Sequence, residues 1–143
     1  MAQLSTLGAT HPRMTKDWQD ATSGGDTERV RALLDAGADI NSLDRHGQTA
    51  LMNSAHKGYT EIVRLLCQRG AGLNHTAKYH LSALMLAVIG DHSDVVRILV
   101  DAGADVGHRG FGNKTALELA EEMKRTLCVE ILQHTNTEHE KRA

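Results

Sequence analysis

Aromatic residues are scarce in this 143-residue chain: Trp18, Tyr59, Tyr79 and Phe111 are the only four. The core must therefore be built from Leu, Ile, Val, Ala and Met. That favours thin layers of short helices over a thick globular centre. Cysteine is rarer still. Cys67 and Cys128 are too few and too far apart for a disulfide framework. Both fall at apolar positions of a helical pattern, which reads as buried free thiols in a reducing compartment. Charge of one sign is lacking as well, since the formal net charge is −2 with histidine neutral. A strongly basic chain would have pointed to nucleic acid or an anionic membrane. The nine histidines add positive charge only below about pH 6.5, their unperturbed pKa. No run approaches the roughly 18 apolar residues of a membrane helix. Met1 to Met14 holds no apolar run with basic flanks and a cleavage site. The expectation from these absences is a soluble, cytoplasmic protein.

What is present is ordinary in amount. Hydrophobic residues are 41% and charged residues 24% of the chain, close to the globular average. The length suits one domain.

Order in the sequence comes from a repeat. Gly37-Ala38, Gly70-Ala71 and Gly103-Ala104 lie 33 residues apart. The same step links Val30, Val63, Val96 and Val129, and again Leu33, Leu66, Leu99 and Leu132. Leu51, Leu84 and Leu117 keep it, with Trp18 one step earlier. Ala21, Ser54, Ala87 and Ala120 complete the register, with no insertion between residues 18 and 132. Such a period signals stacked units.

Each unit has a physical reading. In the second, Asp44-Arg45-His46-Gly47 is turn chemistry. Thr49 suits a helix N-cap, because its hydroxyl accepts from free N–H groups of the first turn. Ala50 to Lys57 reads as a short helix with Leu51, Ser54 and Ala55 inward, and Gly58 breaks it. Glu61 to Gln68 reads as a second helix, with Ile62, Val63, Leu65 and Leu66 at helical spacing. Gly70 supplies the left-handed residue that ends it. Helices this short are marginal alone. Stacking lets each bury its inner face, so stability becomes a sum of neighbour terms.

These residues resemble the ankyrin repeat. Thr49-Ala-Leu-Met-Asn-Ser, Ser82-Ala-Leu-Met-Leu-Ala and Thr115-Ala-Leu-Glu-Leu-Ala match its first-helix motif. Leu33-Leu-Asp-Ala-Gly-Ala-Asp-Ile-Asn41 and Leu99-Val-Asp-Ala-Gly-Ala-Asp-Val106 match its closing motif. The opening of the chain is similar to small stand-alone bacterial members. The resemblance implies an all-α solenoid of helix-turn-helix units with projecting β-turns or hairpins. It divides the chain into a flexible N-terminal segment (1–14), a repeat domain (15–134) and a flexible polar tail (135–143). Within the domain it places a capping repeat at 15–43, repeats at 44–76 and 77–109, and a capping repeat at 110–134. Departures stand beside the match. Ala50, Ala83 and Ala116 replace the usual proline. Met52, Met85 and Glu118 replace the histidine that joins adjacent turns, so that hydrogen-bond network is expected to be missing. His80 and Asn113 occupy the Gly47 column, and both types tolerate positive φ.

The resemblance further implies binding through turn tips and first helices on a concave face. Those columns hold Arg45, His46, Gln48, His56 and Lys57, then Lys78, Tyr79, Leu81 and Ile89, then Phe111 and Lys114. Two of the four aromatics, Tyr79 and Phe111, sit where exposure is expected. Leu81 and Ile89 are apolar in the same setting. Aromatic and Arg residues are enriched at interface hot spots. The expectation is a protein partner with an acidic surface, held by Tyr79, Phe111 and Leu81 and steered by the basic residues. Homo-oligomerisation through the same tips and nucleic-acid binding through the basic tips are the alternatives.

Catalytic and metal chemistry find little footing. No Gly-x-Ser-x-Gly, phosphate loop or dinucleotide loop occurs. The histidines have no metal-binding spacing, so neither a metal nor a cofactor is expected. The chain reads as a binding module, monomeric or weakly associating, and not as an enzyme.

Overall fold

The computed structural model describes residues 12–142. Local chemistry starts each helix pair. Thr49, Ser82 and Thr115 accept from the N–H groups of Met52, Met85 and Glu118 at 3.2, 3.3 and 3.2 Å. These caps open helices α3 (Ala50–Lys57), α5 (Ala83–Ile89) and α7 (Ala116–Glu122). Lys16 occupies that column in the first unit. Thr15 caps one residue early instead, accepting from Trp18 at 3.2 Å, and opens α1 (Lys16–Ser23). The second helices are α2 (Thr27–Asp35), α4 (Thr60–Gln68), α6 (Ser93–Asp101) and α8 (Thr126–Arg142). The turn inside each pair passes through one left-handed residue. Gly25, Gly58, Asp91 and Lys124 fill that column at φ of 72, 78, 58 and 59°.

Four helix pairs stack in one row. First helices pack on first helices (α1 on α3, α3 on α5, α5 on α7), and second helices do the same. The core runs between them. Leu51, Leu84, Val63, Val96, Leu66 and Leu99 are each at most 1% exposed. Trp18 fills the Leu column in the first pair and is equally buried. In the last pair the outward columns turn polar: Glu118 stands where Met85 is buried, and Glu121 where Val88 is. This is how a solenoid end meets water.

Met52, Met85 and Glu118 hold the column of the inter-turn histidine, and other columns, two of them carrying histidine, link the repeats. Tyr59 donates to the Ser23 carbonyl at 3.1 Å, His92 Nε2 to that of His56 at 2.9 Å, and Arg125 to that of Ile89 at 2.8 Å. Three chemically different donors occupy one column and reach one carbonyl column. Asn41 and Asn74 accept from Gly72 and Asp105 across the next junction, both at 2.9 Å. His75 and His108 meet the tip carbonyls of Gly47 and His80 at 3.0 and 2.8 Å.

At the termini, residues 1–11 of the segment expected to be flexible lie outside the described residues. Its end is tied down: Met14 donates to the Leu43 carbonyl at 2.8 Å, and Leu43 to that of Pro12 at 2.9 Å. This single bridge is the nearest approach to a strand among the described residues, so the turns are not full hairpins. Helix α8 continues past His134, where the sequence reading ended the domain, to Arg142. Nothing between them breaks a helix, since neither Gly nor Pro intervenes.

One polar side chain is out of place in the core. Ser54 is fully buried, and its hydroxyl has no partner among the described residues. The same column is alanine at 21, 87 and 120. An unpaired buried hydroxyl costs about 1 kcal/mol or more. Ser54→Ala is therefore expected to raise stability by about 1 kcal/mol in urea unfolding. A lower midpoint would show that the hydroxyl has a partner after all.

Candidate partner-binding surface

The turn tips differ in how they are held. In the second unit Asp44 organises the tip. Its Oδ1 accepts from the N–H groups of His46 and Gln48 at 2.8 and 2.9 Å, and its Oδ2 from Asn53 at 3.0 Å. Only Gly47 there takes a positive φ, at 77°. In the next two tips the Asp44 column is Ala77 and Gly110. Without the carboxylate, each tip closes as a short 3₁₀ turn, Lys78–His80 and Phe111–Asn113, with two left-handed residues in succession. His80 and Asn113 accept this geometry at φ 57 and 60°, as their types allow. At the other left-handed position the fourth tip has Gly112, φ 67° and ψ 17°. The third has Tyr79 in the same conformation, φ 64° and ψ 17°. A bulky residue held left-handed costs about 1 kcal/mol or more.

That turn aims the Tyr79 ring at its neighbour. Tyr79 and Phe111 meet edge to face, with centroids 5.4 Å apart and planes at 79°. Both remain more than half exposed, at 56% and 59%. With Leu81, Ile89 and Leu119 they line an apolar groove of about 340 Å³. Leu81 and Ile89 are half-buried in its wall rather than fully exposed. Leu119 was not foreseen. Its column is buried Leu86 one repeat earlier, and in the last pair no following helix covers it.

Gly110 sets the spacing of these two tips. A Cβ there would lie 2.7 Å from the His80 carbonyl oxygen and 2.7 Å from Met85 Sδ. Gly110→Ala is expected to push the third tip away and cost about 1–3 kcal/mol, as overpacking does. A urea midpoint equal to the parent's would show that the tips tolerate separation.

The basic residues do not form one free field. Lys114 pairs with Glu122, and Arg109 with Glu118 at 3.0 Å. The Thr115 backbone N–H, with help from Arg109, holds the Glu118 carboxyl below its usual pKa. Lys57 turns back to the preceding unit, donating to the Ser23 carbonyl at 3.2 Å and lying 5.8 Å over the Tyr59 ring. Lys78 lies 5.1 Å over the Tyr79 ring. Arg45 and Lys78 have no carboxylate partner among the described residues. Arg45, His46 and His56 are exposed and Gln48 is half-buried. None of these four lines the groove. The structure thus brings Tyr79, Leu81, Ile89 and Phe111 together, keeps Lys78 at their edge, and leaves the second-unit residues apart.

Little reactive chemistry accompanies this. Among the described residues no group of three His, Cys, Asp or Glu side chains converges to hold a metal. Cys128 is buried as expected, whereas Cys67 is half-buried. Burial raises the pKa of both thiols, and Asp91 adds to this for Cys128. No described helix is long and apolar enough to cross a membrane.

Stacked helix pairs with turns at their edge define a helical-repeat solenoid. The family model for ankyrin repeats (three copies) matches residues 18–110, and the chain belongs to that family. No curated protein matches the chain. Ankyrin repeats are in general non-catalytic modules of protein–protein interaction.

Proposed function

We propose that the chain binds a protein partner through the groove between its third and fourth turn tips. The observation that carries this reading is Tyr79. It is an aromatic residue in a left-handed conformation where the next repeat uses glycine, and it is more than half exposed. Strain and exposure are both unfavourable for folding, and such residues cluster at binding sites. Together with Phe111 it forms a rigid aromatic pair, the usual anchor of an interface.

The groove admits one or two large apolar side chains of the partner. Lys78 adds positive charge beside it, so an acidic flank on the partner is favoured and association is faster at low salt. Lys114, next to the fourth tip, is held by Glu122, and Arg45, His46, Gln48, His56 and Lys57 lie apart from this groove and contribute little to it. The pairing of Lys114 and Arg109 with glutamates weighs against nucleic acid, which needs free cations along a track. A second copy of this chain in the same groove is the alternative occupant.

Partner capture from a lysate of the native source tests this reading. The intact chain is compared with the Tyr79→Gly, Phe111→Ala double variant after circular dichroism shows both folded. A protein retained by the first and lost from the second supports the tip groove. Equal retention, or none, sinks it.

A further inference from the structure

The repeat fixes what each outward position of the second helices normally carries, and the last helix breaks the rule twice. The first-turn column holds Glu28, Glu61 and Asp94, then Leu127. Acid there complements the positive end of the helix, whereas Leu127 forgoes that benefit and is 59% exposed. Three residues on, the column holds Arg31, Arg64 and Arg97, then Glu130.

Both changes fall on one groove of about 1020 Å³ between α6, α8 and the loop of residues 103–107. Val100, Val106, Leu127 and Ile131 give it an apolar lining. Its rim carries four carboxylates (Asp94, Asp101, Asp105 and Glu130) against the single guanidinium of Arg97. No ion pair among the described residues engages any of the five. One repeat earlier the five matching positions are Glu61, Arg64, Gln68, Gly72 and Arg97, one acid against two arginines. The charge excess is thus particular to this groove. It lies on second helices, apart from the tip groove on first helices and turns.

We propose that this groove is a second docking site, and that it takes a basic amphipathic helix of a partner protein. Ridges of a third helix fit between two parallel ones. The partner's apolar stripe would cover Leu127 and Ile131, and its Lys or Arg residues would meet the carboxylates. Helix α6 has nine residues, about 13 Å, which sets the docked length at two to three turns. Phosphate surfaces, whether lipid or nucleic acid, are repelled by the same charges.

Two fluorescein-labelled peptides test the site. They share leucines at helical spacing, and their polar positions are Lys in one and Glu in the other. Fluorescence anisotropy is followed as the intact chain is added. The Lys peptide is expected to bind, more weakly as salt rises. Leu127→Glu, Glu130→Arg restores residues the earlier repeats carry at these columns and should keep the fold. It is expected to weaken binding by about tenfold or more. The Tyr79→Gly, Phe111→Ala variant should bind this peptide like the parent, which separates failure here from failure of the tip reading. The proposal is overturned if neither peptide binds, if the Glu peptide binds as well, or if the restored variant binds equally. Sedimentation showing a dimer of the chain alone, dissolved by Leu127→Glu, would assign the groove to a second copy and overturn it too.

Discussion

Leu84→Ala is expected to remove about 3 kcal/mol of stability, within the range for a fully buried leucine whose site cannot collapse. Leu84 is 1% exposed and sits in α5, which packs on α3, α6 and α7. Typical domains have only about 5–15 kcal/mol in total, so the loss is a large share. The linear architecture adds a second expectation. Contacts in a solenoid run between neighbours, so a cavity in the third pair weakens the coupling between the two ends. Trp18, the only tryptophan, is buried in the first pair and reports on that end alone. Urea unfolding read by circular dichroism and by Trp18 fluorescence should coincide for the parent. For Leu84→Ala both midpoints should fall, and the two curves should separate. A loss under about 1 kcal/mol would mean that neighbouring helices close the cavity.

The second large effect is on binding and leaves the fold almost untouched. Tyr79→Gly removes an exposed ring and replaces it with the residue that the fourth tip uses in the same conformation. Relief of left-handed strain and the greater freedom of unfolded glycine act in opposite directions. Stability should therefore stay within about 1 kcal/mol of the parent. Affinity for the captured partner should fall about a hundredfold when Phe111→Ala is added, since two paired aromatic anchors are lost together. Calorimetry with the purified partner reads the affinity, and urea unfolding reads the stability. Lost binding with lost stability would reduce the tip aromatics to packing residues. Unchanged binding would remove the groove from the function.

Much of this was readable along the chain. The caps at Thr49, Ser82 and Thr115 and the left-handed glycines at 37, 70 and 103 depend on residues close in sequence. Their chemistry is local, and the period of 33 multiplies it. The exposure of Tyr79 and Phe111 was legible for the same reason, since columns repeat their environment. The tip conformation was partly hidden. Its cue was Asp44 giving way to Ala77 and Gly110, because only the carboxylate can hold the tip in its other form. Leu119 was missed because its column is buried wherever another repeat follows.

Charge was the least legible feature. Lys57 and Lys114 stand along the sequence among the basic residues expected to steer a partner. Each is engaged within the chain once the repeats fold: by the Ser23 carbonyl and by Glu122. The repeat, its register and its helix ends were determined by the sequence alone, because they rest on short-range sterics and hydrogen bonds. Which apolar side chains converge into a groove, and which charges remain to meet a partner, was decided by the stacking, because those depend on distances between residues of different repeats, as far apart in sequence as Tyr79 and Leu119.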